Sequence, residues 1–501
     1  MLFNSIEFLL FFPTVVLAYY LMPGKLRLYW LLVTSYVFYM GWNPTYALLL
    51  LFSTGVTFVS GLLIGGAKKR AAQLAEEGRK SLPWAKIWVG ASFTINLAIL
   101  FFYKYFDFAV ENLNAVLGLF GREAVKPAFD VLLPVGISFY IFQALSYTAD
   151  VYRGDVRVEK NFFKYATFVS FFPQLVAGPI ERSSHLLMQF DEEKPLKMDN
   201  IRDGLLLMVW GFFQKIVVAD RAAILVNQVF NYSSYYSGFE VVIAMLLFAV
   251  QIYGDFAGYS NIAIGAAQVM GFDLMDNFRR PYFATSVGDF WRRWHISLST
   301  WFRDYLYIPL GGNRKGKVRQ YINLMIVFLC SGLWHGANWT YIIWGGLNGI
   351  YQVIGRVTKP WRTRLMVRIG MKTESFSHRV LQSLITFVLI DIAWVFFRAN
   401  TLGDAMHILG SVFHFNPWVL VDGSLLNMGY DQTEWVVVLL GIAVLLVVGL
   451  LQESGLRLRQ GLAKQEMWFR WVIYLLALGA VLLFGIYGPG FDAAAFIYFQ
   501  F

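Results

Sequence analysis

Apolar residues in this chain come in long blocks that recur from one end to the other. The blocks are Ile6–Met22, Leu28–Gly41, Tyr46–Gly65, Ala85–Tyr103, Val131–Tyr147, Phe162–Ala177, Leu205–Val218, Val241–Tyr253, Tyr321–Trp334, Val380–Phe397, Val436–Leu451 and Trp471–Tyr487. A helix crossing a hydrocarbon core about 30 Å thick needs about 20 largely apolar residues, so each block reads as a candidate membrane span. Blocks shorter than about 17 residues are candidates for tilted, re-entrant or interfacial segments. The pattern predicts one all-helical polytopic membrane domain over 1–501, with no room for a sizeable soluble domain.

Charge between the blocks predicts an orientation, because Lys and Arg are retained on the cytoplasmic side. Lys25 and Arg27 mark the first loop as cytoplasmic, and Gly41-Trp42-Asn43-Pro44 carries no charge. Lys68-Lys69-Arg70 through Lys80 suits a helix lying on the cytoplasmic surface. Arg457, Arg459, Lys464 and Arg470 mark the last loop as cytoplasmic too. Both termini are then extracytoplasmic, which requires an odd number of crossings. Eleven is the expected number, with one block re-entrant or interfacial.

Composition agrees with this reading. Hydrophobic residues are 57% of the chain, aromatic residues 18% and charged residues 15%, against roughly a quarter charged in soluble domains. The formal net charge of +10 sits in short loops beside apolar blocks, which reports orientation and not nucleic-acid binding. The first block lacks a preceding basic region and a small-residue cleavage site, since Tyr19, Tyr20 and Leu21 are bulky; it reads as a retained span. The single Cys330 excludes an internal disulfide or a thiolate cluster, and its Phe-Leu-Cys-Ser-Gly setting suits helix packing.

Polar and ionisable residues crowd into one stretch, from Asp255 to Gly349. It contains Asp255-Phe-Ala-Gly-Tyr-Ser-Asn261, Asn277-Phe-Arg-Arg-Pro281 and Asp289-Phe-Trp-Arg-Arg-Trp-His-Ile-Ser-Leu-Ser-Thr-Trp-Phe-Arg-Asp304. Such groups are costly in hydrocarbon and are tolerated where they pair or line a wet cavity. Two readings stand: a cavity at the cytoplasmic face, or an interfacial amphipathic helix anchored by Trp291, Trp294 and Trp301.

The loop Leu310-Gly-Gly-Asn-Arg-Lys-Gly-Lys-Val-Arg319 is strongly basic and reads as cytoplasmic. A continuous helix from Val318 puts His335 about 25 Å along its axis, most of the way through the core. A break at Ser331-Gly332 or a tilt would leave it shallower. His185, His378, His407 and His414 fall in polar connections or near block ends, where a surface role suffices. His335 lies in Ser-Gly-Leu-Trp-His-Gly-Ala-Asn-Trp-Thr, where Gly332 and Gly336 allow another backbone or a ligand to approach. From the residues alone, a buried hydrogen-bonded histidine and a catalytic one both fit. As a catalyst it would take a proton from an attacking hydroxyl and return it to a leaving thiolate, which is acyl transfer. His295 and His335 lack a ligand at three- or four-residue spacing, so no metal is expected. No Gly-x-Ser-x-Gly elbow and no Walker or dinucleotide loop accompanies them.

Trp294-His295-Ile-Ser-Leu-Ser-Thr-Trp-Phe-Arg-Asp-Tyr-Leu-Tyr-Ile-Pro-Leu-Gly-Gly-Asn-Arg314 followed by Ser331-Gly-Leu-Trp-His335-Gly-Ala-Asn-Trp339 resembles the bacterial alginate O-acetyltransferase branch of the membrane-bound O-acyltransferases. Leu133-Pro-Val-Gly-Ile-Ser-Phe-Tyr140 and Phe172-Pro-Gln-Leu-Val-Ala-Gly-Pro-Ile-Glu-Arg182 fit the same pattern. The resemblance implies a central membrane funnel with catalytic His335 at its narrow centre. It also places His295 as a second polar residue supporting donor or acceptor binding. Trp294, Arg303, Asp304, Trp334 and Asn338 fall within the same motifs and are expected at the donor or substrate. The implied acyl donor is cytoplasmic acetyl-CoA, a substrate and not a permanently bound cofactor.

The ending Phe496-Ile-Tyr-Phe-Gln-Phe501, within the tail 490–501, resembles the Phe-x-Tyr-x-x-Phe acyl-carrier motif of these systems. The resemblance implies that Tyr498 accepts acetyl with help from His335. It then passes the group to a serine on an extracytoplasmic, SGNH-type esterase-like partner at the cell membrane. An aromatic interfacial anchor is the plainer reading of the same tail. Two other functions fit less well: D-alanyl transfer to teichoic acid, whose branch uses a separate tyrosine-bearing partner, and a transporter or channel, which would carry paired broken helices in two related halves.

Overall fold

The computed structural model describes residues 1–126 and 133–487; Tyr498 and the rest of the tail lie outside the described residues. Among the described residues every regular element is helical. Six helices are long and apolar enough to cross a membrane: Pro44–Glu76, Trp84–Leu119, Phe239–Val269, Phe376–Arg398, Gln432–Glu453 and Met467–Phe484. Ile6–Leu21 is a shorter apolar helix. The chain groups into two compact units, 1–205 with 263–275, and 206–262 with 276 onward.

In the first unit, Pro44–Glu76 begins at an Asn43 cap, whose side chain accepts from the Thr45 backbone N–H, with Pro44 at the first helical position. Its 33 residues make about 50 Å of helix, well beyond the hydrocarbon thickness. The basic stretch from Lys68 to Glu76 is therefore a continuation of this span and not a separate surface helix. The Ala, Lys, Gln, Leu and Glu there are strong helix formers that carry the helix on. Lys68 turns back to donate to the carbonyl oxygens of Val151 and Tyr152 in the last turn of Ile137–Arg153.

Helix Ile137–Arg153 is buried along almost its whole length. It starts later than the block Val131–Tyr147 suggests, because Gly136 adopts φ +75° just before it. Hydrogen bonds between helices hold this unit together: Ser92 with Thr148 of this helix at 3.3 Å and, among its neighbours, Ser53 to Asn96 at 2.6 Å and Tyr165 to Thr57 at 2.8 Å. The block Phe162–Ala177 is not one helix. It divides into Phe162–Ser170 and Phe172–Leu175, since Pro173 removes a backbone donor and disfavours continuation through the residue before it. A nine-residue helix is about 14 Å long and cannot cross the core.

Beyond that break, His185 stands between two carboxylates. Its Nδ1 is 2.8 Å from Glu181 and its Nε2 3.4 Å from Asp273. The second oxygen of fully buried Glu181 accepts the Met275 backbone N–H. The hydrogen bonds to Asp273 and Glu181 raise the His185 pKa from 6.5 to about 10. A surface role thus understates this residue, which joins 181–185 to 273–275.

Helix Phe239–Val269, whose residues 239–262 belong to the second unit, absorbs the motif Asp255–Asn261. Gly258 and Gly254 face the neighbouring helical stretch that contains Gly211 and the π-helical Phe213–Ala219. A Cβ on Gly258 would stand 2.7 Å from the Gly211 carbonyl, and one on Gly254 2.8 Å from that of Gln214. This approach sets Lys215 between Asp220 at 2.7 Å and Asp255 at 2.6 Å, all three buried. A cation between two carboxylates answers the cost of placing any of them there.

Helix Lys317–His335 is unbroken through Ser331-Gly332 and ends at His335. Gly336-Ala337-Asn338 then reverses the chain into Trp339–Arg368, a helix absent from the expected blocks. The two pack as an antiparallel hairpin. Trp339–Arg368 is the longer by eleven residues, so its last turns, with Lys359, Arg362, Arg364 and Arg368, extend past the basic start of its partner.

The His185 clamp sets a pH dependence. Its folded pKa lies above the unfolded one, so its stabilisation is complete below pH 6.5 and lost as pH rises through about 10. In thermal unfolding, the gap in Tm between the wild type and His185→Gln is expected to narrow across that window. A gap independent of pH would contradict the clamp.

Candidate active site

Trp334, Trp344, Phe397 and a second imidazole surround His335. The helix delivers it at its final residue, and Gly336 follows in an extended conformation (φ −165°). The hairpin can close there only because glycines stand at the contacts. A Cβ on Gly332 would overlap the Tyr341 carbonyl, one on Gly345 the Phe328 carbonyl, and one on Gly336 the Tyr341 ring. The approach that Gly332 and Gly336 permit is therefore that of the following helix.

His335 is buried. Its ring centroid lies 4.9 Å from Trp334, 5.0 Å from Trp344 and 5.3 Å from Phe397, each met close to edge-on. Trp344 stacks in turn on Trp394 at 5.7 Å, and Trp394 packs on Trp294 at 5.0 Å. Each such pair is worth about 0.5–1.5 kcal/mol beyond simple burial. A polar brace holds the cluster from behind: Trp291 donates to Asn348 at 3.1 Å, and Asn348 donates to the Trp344 carbonyl at 2.9 Å.

His295 lies 6.3 Å from His335, ring centre to ring centre, although forty residues separate them in sequence. It is fully buried, with Phe256 edge-on at 4.6 Å and Trp334 at 5.9 Å. It occupies the junction between two short helices, Val287–Arg293 and Ile296–Phe302. Its backbone is left-handed, φ +44°, and the only other non-glycine residue with positive φ among the described residues is Arg280. Both belong to the stretch that forms this site. Such a conformation costs about 1–2 kcal/mol in a non-glycine residue, and local hydrogen bonds hold it here. Asn277 accepts the Ile296 N–H at its carbonyl (2.9 Å) and the Ser297 N–H at its side chain (3.3 Å).

The other expected residues separate into two groups. Trp294 and Trp334 are buried in the aromatic cluster. Arg303 and Asp304 pair with one another at 2.7 Å, with the Arg303 side chain largely exposed. Asn338 caps helix Trp339–Arg368 by accepting the Thr340 N–H at 3.0 Å, which is a sufficient reason for its presence. Trp344, Phe397, Phe256 and Ser260 were not singled out from the sequence, because no periodicity ties them to either histidine. No cluster of three or more His, Cys, Asp or Glu side chains suited to a metal occurs among the described residues. Two imidazoles this close, in an apolar surround, can act on one small group placed between them, one ring exchanging a proton and the other orienting it.

The left-handed backbone at His295 yields a stability prediction. His295→Gly relieves the conformational cost and His295→Ala retains it, so the Gly variant is expected to unfold at the higher temperature, by about 1 kcal/mol of stability. An Ala variant as stable as the Gly variant would show that this backbone is relaxed.

Comparison with known proteins identifies the family. A family model described as MBOAT, membrane-bound O-acyltransferase family, matches residues 153–397, which include both histidines. The chain is 40% identical over 421 residues to the probable alginate O-acetylase AlgI of Pseudomonas putida, covering 84% of this chain and 82% of that protein. It is 38% identical over 453 residues to the protein of the same name from Azotobacter vinelandii, covering 90% and 85%. It is also 35% identical over 448 residues to the peptidoglycan O-acetyltransferase of Helicobacter pylori, covering 83% and 80%. With similarity of that depth along most of its length, this multi-pass membrane protein belongs to the membrane-bound O-acyltransferase family and is an acyltransferase.

Proposed function

We propose that the protein is an O-acetyltransferase that takes acetyl from cytoplasmic acetyl-CoA and passes it across the membrane toward an extracellular or cell-wall polysaccharide. The pairing of His335 with His295 in a buried aromatic surround carries this reading. The names of its relatives, alginate and peptidoglycan O-acetylating proteins, supply the acyl group and the class of acceptor.

His335 acts as the base. The acceptor hydroxyl oxygen attacks the thioester carbonyl while His335 takes the hydroxyl proton. The tetrahedral intermediate then collapses, the carbon–sulfur bond breaks, and the imidazolium returns the proton to the leaving thiolate. The products are an oxygen ester and free coenzyme A thiol. The basic stretch Leu310–Arg319 and the cationic end of Trp339–Arg368 supply positive charge for the coenzyme A phosphates. The first acceptor is the hydroxyl of Tyr498, and a serine of an extracytoplasmic SGNH-type protein receives acetyl from it. The support for this step is the tail motif Phe496–Phe501. The setting is the cell membrane with both termini extracytoplasmic, as the Lys and Arg distribution indicates.

His335→Ala is expected to lower acetylation about 10²- to 10⁴-fold, the range a positioned acid–base group supplies, at an unchanged protein level in the membrane. Full activity would refute the assignment. Labelled acetyl-CoA is expected to leave a hydroxylamine-sensitive label on the wild type and none on Tyr498→Phe. Unchanged polymer acetylation in Tyr498→Phe would refute the relay while leaving acyl transfer intact.

A further inference from the structure

Asn277 is buried and makes five hydrogen bonds within a few ångströms of His295. Its side-chain oxygen faces His295 Nδ1 at 3.1 Å, the Ser297 hydroxyl at 2.9 Å and the Ser297 backbone N–H at 3.3 Å. Its Nδ2 donates to the Ser260 hydroxyl at 3.1 Å, and its own carbonyl accepts the Ile296 N–H at 2.9 Å. The two ends of a side-chain amide look alike, so its orientation must be fixed by a partner whose role is unambiguous. Here the Ser297 backbone N–H is such a partner. It can only donate, so the atom facing it is oxygen and the atom facing Ser260 is nitrogen.

An amide oxygen cannot donate. The proton in the contact with His295 therefore belongs to Nδ1 of the imidazole. In a neutral imidazole, a protonated Nδ1 makes Nε2 the acceptor nitrogen. We infer that Asn277 is a positioning residue that holds His295 as the Nδ1–H tautomer, so that Nε2 meets the substrate as a hydrogen-bond acceptor. The inference rests on the acyl-transfer reading and adds a division of labour to it. Nε2 in this state accepts from a donor on the substrate other than the reacting O–H, whose proton goes to His335, and so orients the attacking oxygen. It has no proton to offer the oxyanion that develops on the carbonyl, so that charge is stabilised by other groups.

The left-handed turn at His295 serves the same end. It lets Asn277 reach Nδ1, the Ile296 N–H and the Ser297 N–H together, so one side chain fixes both the backbone and the ring. The titratable groups on the elements packed around His295 are His335 on its own helix, Asp255 paired with Lys215, Arg293 paired with Asp289 and Glu453, and Asp276 paired with Arg279.

Nitrogen-15 solid-state NMR of histidine-labelled wild-type protein in lipid bilayers reads the tautomer directly. The His295 signals are assigned by their loss in His295→Asn, a residue that tolerates the left-handed backbone. Protonated Nδ1 with bare Nε2 is expected; protonated Nε2 overturns the inference whatever the activity. In acetyl transfer, Asn277→Ala is expected to lower kcat about 10²-fold with little change in the KM for acetyl-CoA. Asn277→Asp keeps the acceptor but sets a negative charge against Nδ1–H, favouring the imidazolium. The acidic limb of its kcat profile is expected to move up by about one pH unit or more. Loss of fold alone would lower the amount of active protein without moving that limb. An unmoved limb in Asn277→Asp, or full kcat in Asn277→Ala, overturns the positioning role. Full activity in His335→Ala would instead remove the acyl-transfer reading and leave the NMR result standing on its own.

Discussion

The geometry of this site depends on how closely two helices approach. Where Lys317–His335 runs against Trp339–Arg368, backbone meets backbone at Gly332 and Gly345, and no side chain larger than hydrogen fits at either contact. Lipid tails are as apolar as leucine, so helices in a bilayer gain little from hydrophobic contact and associate through such close packing and through hydrogen bonds. The tightness of the hairpin places Trp344 against His335 and Tyr341 against Phe397. A side chain at either glycine would part the helices and remove one wall of the aromatic surround.

In and around that surround, several buried polar groups are paired by named partners. Asn348 braces Trp291 and Trp344, Lys215 bridges two aspartates, and Asn277 spends its amide on His295, two serines and the local backbone. An unsatisfied buried polar group costs about 1–3 kcal/mol, and the strained turn at His295 about 1–2 kcal/mol. Hydrogen bonds from one asparagine offset the second by removing the first. The result is an imidazole with a fixed ring orientation and a fixed proton, held beside another imidazole on a separate helix.

Much of this was legible in the sequence. The apolar blocks correspond to most of the helices, and His335 stood out as an imidazole far along an apolar helix. Trp339–Arg368 was not legible, for a physical reason: Gly345, Gly346, Asn348, Gly349 and Gln352 dilute its hydropathy. Gly345, Asn348 and Gly349 are among the residues that pack it against its neighbours. The break inside Phe162–Ala177 turns on one proline in an otherwise apolar run. The nearness of His295 to His335 could not be read from spacing, since it arises from the tertiary approach of a short-helix junction and a hairpin tip. The motif that contains Asn277 was visible, but its role lies in hydrogen bonds to residues seventeen to twenty positions away.

The central claim is that one small group reacts between His335 and His295. A structure of the protein with coenzyme A bound tests this most directly. The expected result is the thiol sulfur between the two imidazoles, with the phosphates toward the basic stretch Leu310–Arg319. A thiol bound away from both rings, with His335 closed off inside its aromatic surround, would contradict it.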